Sequence, residues 1–223
     1  MPDSLCIASF FCSLESMKLD DIYRGIPLDK IPWNRTIPPS LLSDCIENNT
    51  VFPSHILDLG CGLGHYSAYY SQKGYQITGI DSSEISIKHA KTLFESNHLK
   101  GDFFNQDLCG ELKLPKLEVD FAFDYEVLHH IYPEQRDFYL RNVKSLLKKD
   151  AYYLSICFSE EDVNFGTKGK YRTTPIGTRL YFSSISEIKE LMEKHFTIIE
   201  LKQVELPGKP IPHQAIFCLM RKL

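Results

Sequence analysis

Residues 55–81, HILDLGCGLGHYSAYYSQKGYQITGID, limit the fold of this chain more than any other stretch. An apolar run ends in three glycines at alternate positions, a helical pattern follows, and a second apolar run closes on Asp81. A glycine-rich turn between a strand and a helix is built to receive a ligand. Gly60 lets the chain leave the strand in a tight turn. Gly62 lets backbone approach a ligand with no Cβ in the way, and Gly64 lets the next helix pack closely. The first turn of that helix offers unpaired N–H groups and the positive end of a dipole.

The rest of the chain repeats the alternation. Further apolar runs are DFFNQD (102–107), VDFAFDY (119–125), AYYLSICFS (151–159), FTIIELKQVEL (196–206) and HQAIFCLMRK (213–222). Helical patterns lie at 64–73, 82–97, 133–149 and 184–195; in the second, Ile87, Ala90 and Phe94 form one apolar stripe. This predicts an α/β fold, a doubly wound, Rossmann-like, seven-stranded and mostly parallel sheet. Only PGKPIP separates the last two runs, too short for a crossover helix, so they should form an antiparallel hairpin at the sheet's end.

Two segments fall outside the pattern. Residues 1–50 precede the first strand and are expected to form an N-terminal cap on a main domain of residues 51–223. Residues 160–182 are polar, with three glycines, and are expected to be a lid or binding loop. The early run LCIASFFCSL is too short to span a bilayer and poorly flanked for a signal peptide; a short docking helix or loose tail is expected. Seven cysteines without C-x-x-C spacing read as free thiols in a reducing compartment, so a cytoplasmic location is expected. A net charge of −4 gives no reason to expect a nucleic-acid surface.

Two ligand classes compete for the turn. A dinucleotide wants G-x-G-x-x-G, whereas this turn reads G-x-G-x-G and is preceded by Asp58. A carboxylate there repels a pyrophosphate and favours an ammonium or a sulfonium. Asp81, ending the second strand, can accept hydrogen bonds from two ribose hydroxyls; it can equally cap the helix that starts at Ser82.

LDLGCGLG, an acidic residue ending the second strand and an aspartate after the third together resemble the class I S-adenosylmethionine-dependent methyltransferases, over roughly residues 50–160. The resemblance implies S-adenosylmethionine as cofactor and S-adenosylhomocysteine as product. It implies that Asp58, Gly60, Cys61 and Gly62 cradle the methionine end. Asp81 and Ser82 would take the ribose, and Asp107 and Leu108 the adenine. Asp124 and Tyr125 would complete the cofactor wall. The segment IPWNRTIPPSLL resembles the thiopurine, thiol and tellurite-resistance methyltransferases, in which a tryptophan closes over the cofactor; here that implies Trp33, with Tyr23 as a second covering residue.

DYEVLHHI (124–131) should face the methyl group, with Tyr125 and Glu126 as walls of the site. It lacks the [Asp/Asn]-Pro-Pro-Tyr signature of adenine- and glutamine-modifying enzymes and the Pro-Cys of cytosine-C5 enzymes. Tyr125, His129 and His130 are the candidate catalytic groups, the histidines because they titrate near neutrality; adjacent histidines at a helix start also serve packing. No metal site is expected, since neighbouring side chains point apart. Tyr171, Arg172 and Arg179 are candidates to hold an anionic substrate group, or belong to a solvated loop. Cys61, Cys109 and Cys157, each near a strand's carboxyl end, would suit a metalloid acceptor or serve as fillers.

The expected function is methyl transfer to a small molecule bearing a thiol, hydroxyl or carboxylate, by a monomer or homodimer, with no nucleic acid and no membrane involved. The rivals are a protein or RNA methyltransferase and a cofactor-binding module without turnover.

Overall fold

A computed structural model describes residues 20–47, 51, 53–166, 169–208 and 211–223. The expected N-terminal docking helix at LCIASFFCSL lies outside the described residues. Residues 20–25 are helical, a short 3-10 turn spans Leu28–Lys30, and α1 (Ser40–Glu47) precedes the sheet.

One sheet organises the rest. It contains β1 (His55–Leu59), β2 (Gln76–Asp81), β3 (Asp102–Asn105), β4 (Val119–Tyr125) and β5 (Leu147–Phe158). The hairpin of β6 (Tyr171–Thr173) and β7 (Arg179–Tyr181) stands apart, and β8 (Thr197–Leu206) and β9 (His213–Arg221) complete the main sheet. The order is β3-β2-β1-β4-β5-β9-β8. β9 runs antiparallel to both neighbours, and the other contacts are parallel. The seven-stranded doubly wound sheet and its terminal antiparallel hairpin are therefore present.

Helices cover both faces. Ile56 and Phe123 join α1, α2 (His65–Gln72) and α3 (Glu84–Ser96) in one core through Leu42, Tyr70, Ala90 and Phe94. Leu57 and Ala122, one residue out of phase, face the other way onto α4 (Pro133–Leu146) and α5 (Ile185–Glu193) through Tyr139, Leu140, Ile188 and Met192. Burial on both faces explains why the strands read as continuous apolar runs rather than alternating ones.

Local chemistry sets the helix starts. The Ser83 side chain accepts from Ser86 N–H at α3, Pro133 occupies the first turn of α4, and Ser184 and Glu187 form a capping box at α5. One boundary differs from expectation: α4 stops at Leu146, not at 149. Lys148 instead pairs with Asp120 at 2.8 Å, and Asp150 adopts φ +65°, in a bulge that moves the pairing from Val119↔Leu147 to Phe121↔Tyr152.

The segment at 160–182, expected to be a loop, contains the β6–β7 hairpin. Arg172 organises it from within: its guanidinium donates to the carbonyls of Glu160 (2.7 Å), Gly169 (3.2 Å) and Asp162 and lies 4.2 Å from the Phe182 ring. Among the described residues, no helix is long and apolar enough to cross a membrane.

Candidate active site

Strand order reverses between β1 and β4, where Leu59 sits beside Asp124, so the loops after these strands meet at one rim. In the turn after β1, the N–H groups of Gly60 and Cys61 both donate to the Ile80 carbonyl, at 2.7 and 3.1 Å. Gly60 adopts φ +70°, and a Cβ there would lie 2.5 Å from Val127 in the loop after β4. Gly64, at φ +81°, would place a Cβ 2.8 Å from that of Ala90, so its bareness lets α2 seat on α3.

Acidic groups surround the turn. Gly62 N–H donates to Asp81 Oδ2 at 2.9 Å and Ser83 N–H to Asp81 Oδ1 at 2.8 Å. A carboxylate has about four lone-pair sites, so Asp81 keeps capacity for two more donors. Asp58 is buried and accepts from Ser67 Oγ at 2.7 Å. Burial pushes its carboxyl up to about 7; the Ser67 bond opposes the rise and the Asp81 charge adds to it. Burial also raises Asp81, against its two backbone bonds. Such a wall receives a cation and hydroxyl donors far better than a pyrophosphate.

The third acidic loop is held from two sides. Asp107 Oδ1 accepts from Cys109 N–H at 2.8 Å, while Asn142 donates to the carbonyls of Leu108 and Gly110 at 2.9 and 2.8 Å. Tyr23 and Trp33 cover the turn. Trp33 Nε1 donates to Tyr23 Oη at 2.9 Å, a Cβ on Gly62 would come within 3.5 Å of that oxygen, and Asp20 accepts from Ser83 Oγ. Burial, with the Asp81 charge, pushes the Tyr23 hydroxyl up to about 12, so it stays protonated.

These groups share a cavity of about 910 Å³. Of the residues singled out from sequence, Tyr23, Trp33, Asp58, Gly60, Cys61, Gly62, Asp81, Ser82, Asp107, Leu108, Tyr125, His129 and His130 line it. Four do not. Asp124 is fully buried beneath the rim and accepts from Tyr139 (3.0 Å), Ser155 (3.0 Å) and Tyr153, so it cannot contact a cofactor. Strand parity turns it toward the α4 face. Arg172 is spent on backbone carbonyls. Tyr171 and Arg179 stack on each other at 4.6 Å on the outside of the hairpin, with Tyr171 also against Tyr132. Their neighbours Thr174, Ile176, Thr178 and Leu180 reach the cavity instead. The thiols do not converge either: Cys61 and Cys109 line the cavity, but Cys157 belongs to the core under α4 and α5. Among the described residues, no three His, Cys, Asp or Glu side chains are placed to hold a metal.

The paired histidines are poor bases. His129 stacks on Phe158 at 4.2 Å, and its Nδ1 accepts the Phe158 N–H at 3.2 Å. Its proton must then sit on Nε2, which makes it a donor. Burial, then the neighbouring His130, holds it well below the usual range. His130 meets Trp33 edge-on at 6.4 Å, and burial lowers it to about 4.

Glu126, expected from sequence as a wall residue, lines the cavity, together with Arg35 and His213, which sequence reasoning missed. Glu126, a non-glycine residue at φ +63°, has a buried Oε1 with no hydrogen-bond partner. Burial raises its carboxyl, opposed by the charges of Arg35 and His213. Arg35 donates to the Pro207 carbonyl at 2.8 Å. His213 opens β9 and pairs through Nδ1 with Asp162 at 2.9 Å. The expected hairpin held the clue: an antiparallel last strand must begin at the rim where parallel strands end.

Comparison with known proteins agrees with this geometry. Residues 56–150 match the family model described as "Methyltransferase domain". The chain is 29% identical over 157 residues to the ubiquinone biosynthesis O-methyltransferase of Coxiella burnetii, covering 70% of this chain and 63% of that protein. The corresponding Pelagibacter ubique enzyme is 26% identical over 147 residues; 63% of this chain is matched, spanning 60% of the relative's length. Among solved structures, Burkholderia thailandensis 1,6-didemethyltoxoflavin-N1-methyltransferase superposes with a TM-score of 0.71 at 22% identity, over 96% of this chain and 89% of that one. These structural likenesses describe the fold. The glycine cradle, the acidic wall and the spare capacity of Asp81 fit S-adenosylmethionine, a cationic sulfonium carrying a ribose. Residues 56–150 are thus similar to a methyltransferase domain, set in a fold shared with solved methyltransferases.

Proposed function

We propose that this chain transfers the methyl group of S-adenosylmethionine to a hydroxyl of a small molecule. The bound cofactor supplies a methyl carbon made electrophilic by its sulfonium; the protein supplies orientation and a dry site. Asp58, Gly60, Cys61 and Gly62 hold the methionine end, Asp81 and Ser82 the ribose, and Asp107 and Leu108 the adenine. Trp33 and Tyr23 cover it, as in the thiopurine- and tellurite-type enzymes that the N-terminal segment resembles. Residues 20–47, the described part of the expected cap, act as the cap, and the segment 160–182 acts as the lid on the acceptor side of the main domain.

The observation that carries the choice of acceptor is the buried, unpartnered Oε1 of Glu126 on the cavity wall. A carboxylate or thiolate brought there meets a like charge, whereas a hydroxyl donates to it. Much of the remaining wall is apolar and aromatic, with Tyr66, Tyr125, Phe158, Phe165, Ile176 and Leu180 beside the polar Arg35, Thr174 and Thr178. At about 910 Å³ the cavity sits at the upper end of ligand pockets, roughly 300–1,000 Å³, which suits a cofactor plus a small acceptor. The names of the ubiquinone biosynthesis O-methyltransferases support oxygen as the methylated atom.

Calorimetric titration with S-adenosylhomocysteine, using NAD as control, tests the cofactor. Incubation with methyl-labelled S-adenosylmethionine and a panel of small phenols, alcohols, thiols and carboxylic acids tests the acceptor. Micromolar binding and label in the hydroxyl compounds are expected; label only in thiols or acids overturns the acceptor class.

A further inference from the structure

A hydroxyl is a weak nucleophile until its proton has somewhere to go. His129 donates from Nε2 and His130 is a very weak base, so neither candidate from the β4 loop fills that need. We propose that His213 is the general base, with Asp162 as its positioning residue. This assignment rests on the hydroxyl reading of the acceptor.

The geometry is that of an oriented imidazole. His213 Nδ1 lies 2.9 Å from Asp162 Oδ2 and, at the longer distance of 3.3 Å, from Asn164 Nδ2, which also donates to the Pro212 carbonyl at 3.4 Å. Asp162 is itself fixed: Oδ2 also accepts from Gln214 N–H at 2.8 Å, and Oδ1 accepts from Asn164 N–H at 2.6 Å. Its side chain is shielded from solvent. A carboxylate so placed keeps the histidine proton on Nδ1 and leaves the Nε2 lone pair bare. The ring stacks on Phe158 at 4.5 Å and lies against Phe165 at 5.4 Å on another side, which restricts the direction of that lone pair. His213 lines the cavity beside Gly208, where a Cβ would stand 2.5 Å from Cδ2 and 3.0 Å from Nε2. A side chain at 208 would thus crowd the basic edge.

The titratable groups that face His213 are Asp162 from the segment after β5 and Glu126 and His129 from the segment after β4. In the step, the acceptor hydroxyl turns from the Glu126 hydrogen bond that seats it, gives its proton to Nε2, and its oxygen forms a bond to the methyl carbon. The carbon–sulfur bond breaks with its electron pair remaining on sulfur, which becomes a neutral thioether. The proton leaves His213 to solvent as product departs, with no oxidant or reductant required.

Nitrogen NMR of histidine-labelled wild-type protein reads the tautomer without any variant. A neutral His213 with Nδ1–H and a bare Nε2 is expected, and an Nε2–H tautomer overturns the assignment. Asp162→Asn should shift the tautomer population while leaving S-adenosylhomocysteine affinity within about twofold. A second probe is 4-nitrophenol, whose phenolate absorbs in the visible. In the S-adenosylhomocysteine complex the wild type should bind it and develop the phenolate band near neutrality, and His213→Asn should lose that band. An equal band in His213→Asn, or its loss in Glu126→Gln alone, moves the base to Glu126 and overturns the proposal. So does a wild type that binds S-adenosylhomocysteine but neither binds nor ionises 4-nitrophenol. Failure to bind S-adenosylhomocysteine instead defeats the methyl-transfer reading, whatever the tautomer of His213.

Discussion

Gly62 donates its backbone N–H to Asp81 at 2.9 Å, tying the turn after β1 to the end of β2. The residue that must lack a side chain and the residue that must carry a charge are thus held by one bond. In the proposed function, ligand contact and turn geometry are coupled there.

Replacing Asp81 by alanine should weaken S-adenosylhomocysteine about five- to hundredfold, the value of two hydrogen bonds at roughly 0.5–1.5 kcal/mol each. Calorimetry reads this. Asp81→Asn should lose less, because the amide oxygen can still accept from Gly62.

Asp58 gives a pH signature. Its carboxyl is ordinary in the unfolded chain and rises to about 7 when buried, so the folded state binds the extra proton between those values. Stability contributed by this group therefore falls as pH rises from about 4 to about 7. Asp58→Asn should flatten that part of the curve in urea titrations at several pH values. A cationic ligand reverses the preference, so S-adenosylhomocysteine, through its ammonium, should release protons near pH 6–7. Calorimetry in two buffers of different ionisation enthalpy counts them, and Asp58→Asn should release none.

Gly64→Ala should destabilise the fold by about 1–3 kcal/mol or more, because it combines an overpacked contact on Ala90 with a positive φ. Gly62→Ala, whose Cβ meets nothing closer than 3.5 Å, should cost less stability and more affinity. Denaturant midpoints against binding constants separate the two glycines.

Arg172 should behave as a structural clamp. Arg172→Met should lower the melting temperature by roughly 5–10 °C, from the loss of charged hydrogen bonds at about 1.5–3 kcal/mol. Arg172→Lys should not rescue it, since an ammonium cannot span three carbonyls as the planar fork does. Arg179→Ala, on the outside of the hairpin, should stay within about 0.5 kcal/mol of wild type.

The central sheet was legible because both of its faces are buried, which turns strands into apolar runs and leaves the glycine turn conspicuous between them. Gly64 was legible for the same reason: its use is local. Asp124 was misread because its position near the end of β4 suggests the rim, while strand parity, settled only by register, directs it into the core with Tyr139 and Tyr153. Arg172 was misread as a substrate ligand because sequence does not reveal which carbonyls a hairpin will leave unpaired. His213 and Asp162, 51 residues apart, are joined only by the pairing of β5 with β9. Nothing in the spacing announces them.

The insertion of β9 between β5 and β8 also sets the order in which the protein can become competent as it is synthesised. Residues 20–146 include the turn, its Tyr23–Trp33 cover, the acidic wall, the β4 loop and the Asn142 brace, so the donor half of the cavity is present in the chain before β9 is made. The opposite wall waits for the hairpin strand, and until it arrives β5 presents an open edge on which another chain can pair. A chain stopped within the last dozen residues would keep the donor half of the cavity, lose the seating of the other half, and carry a sheet edge prone to association.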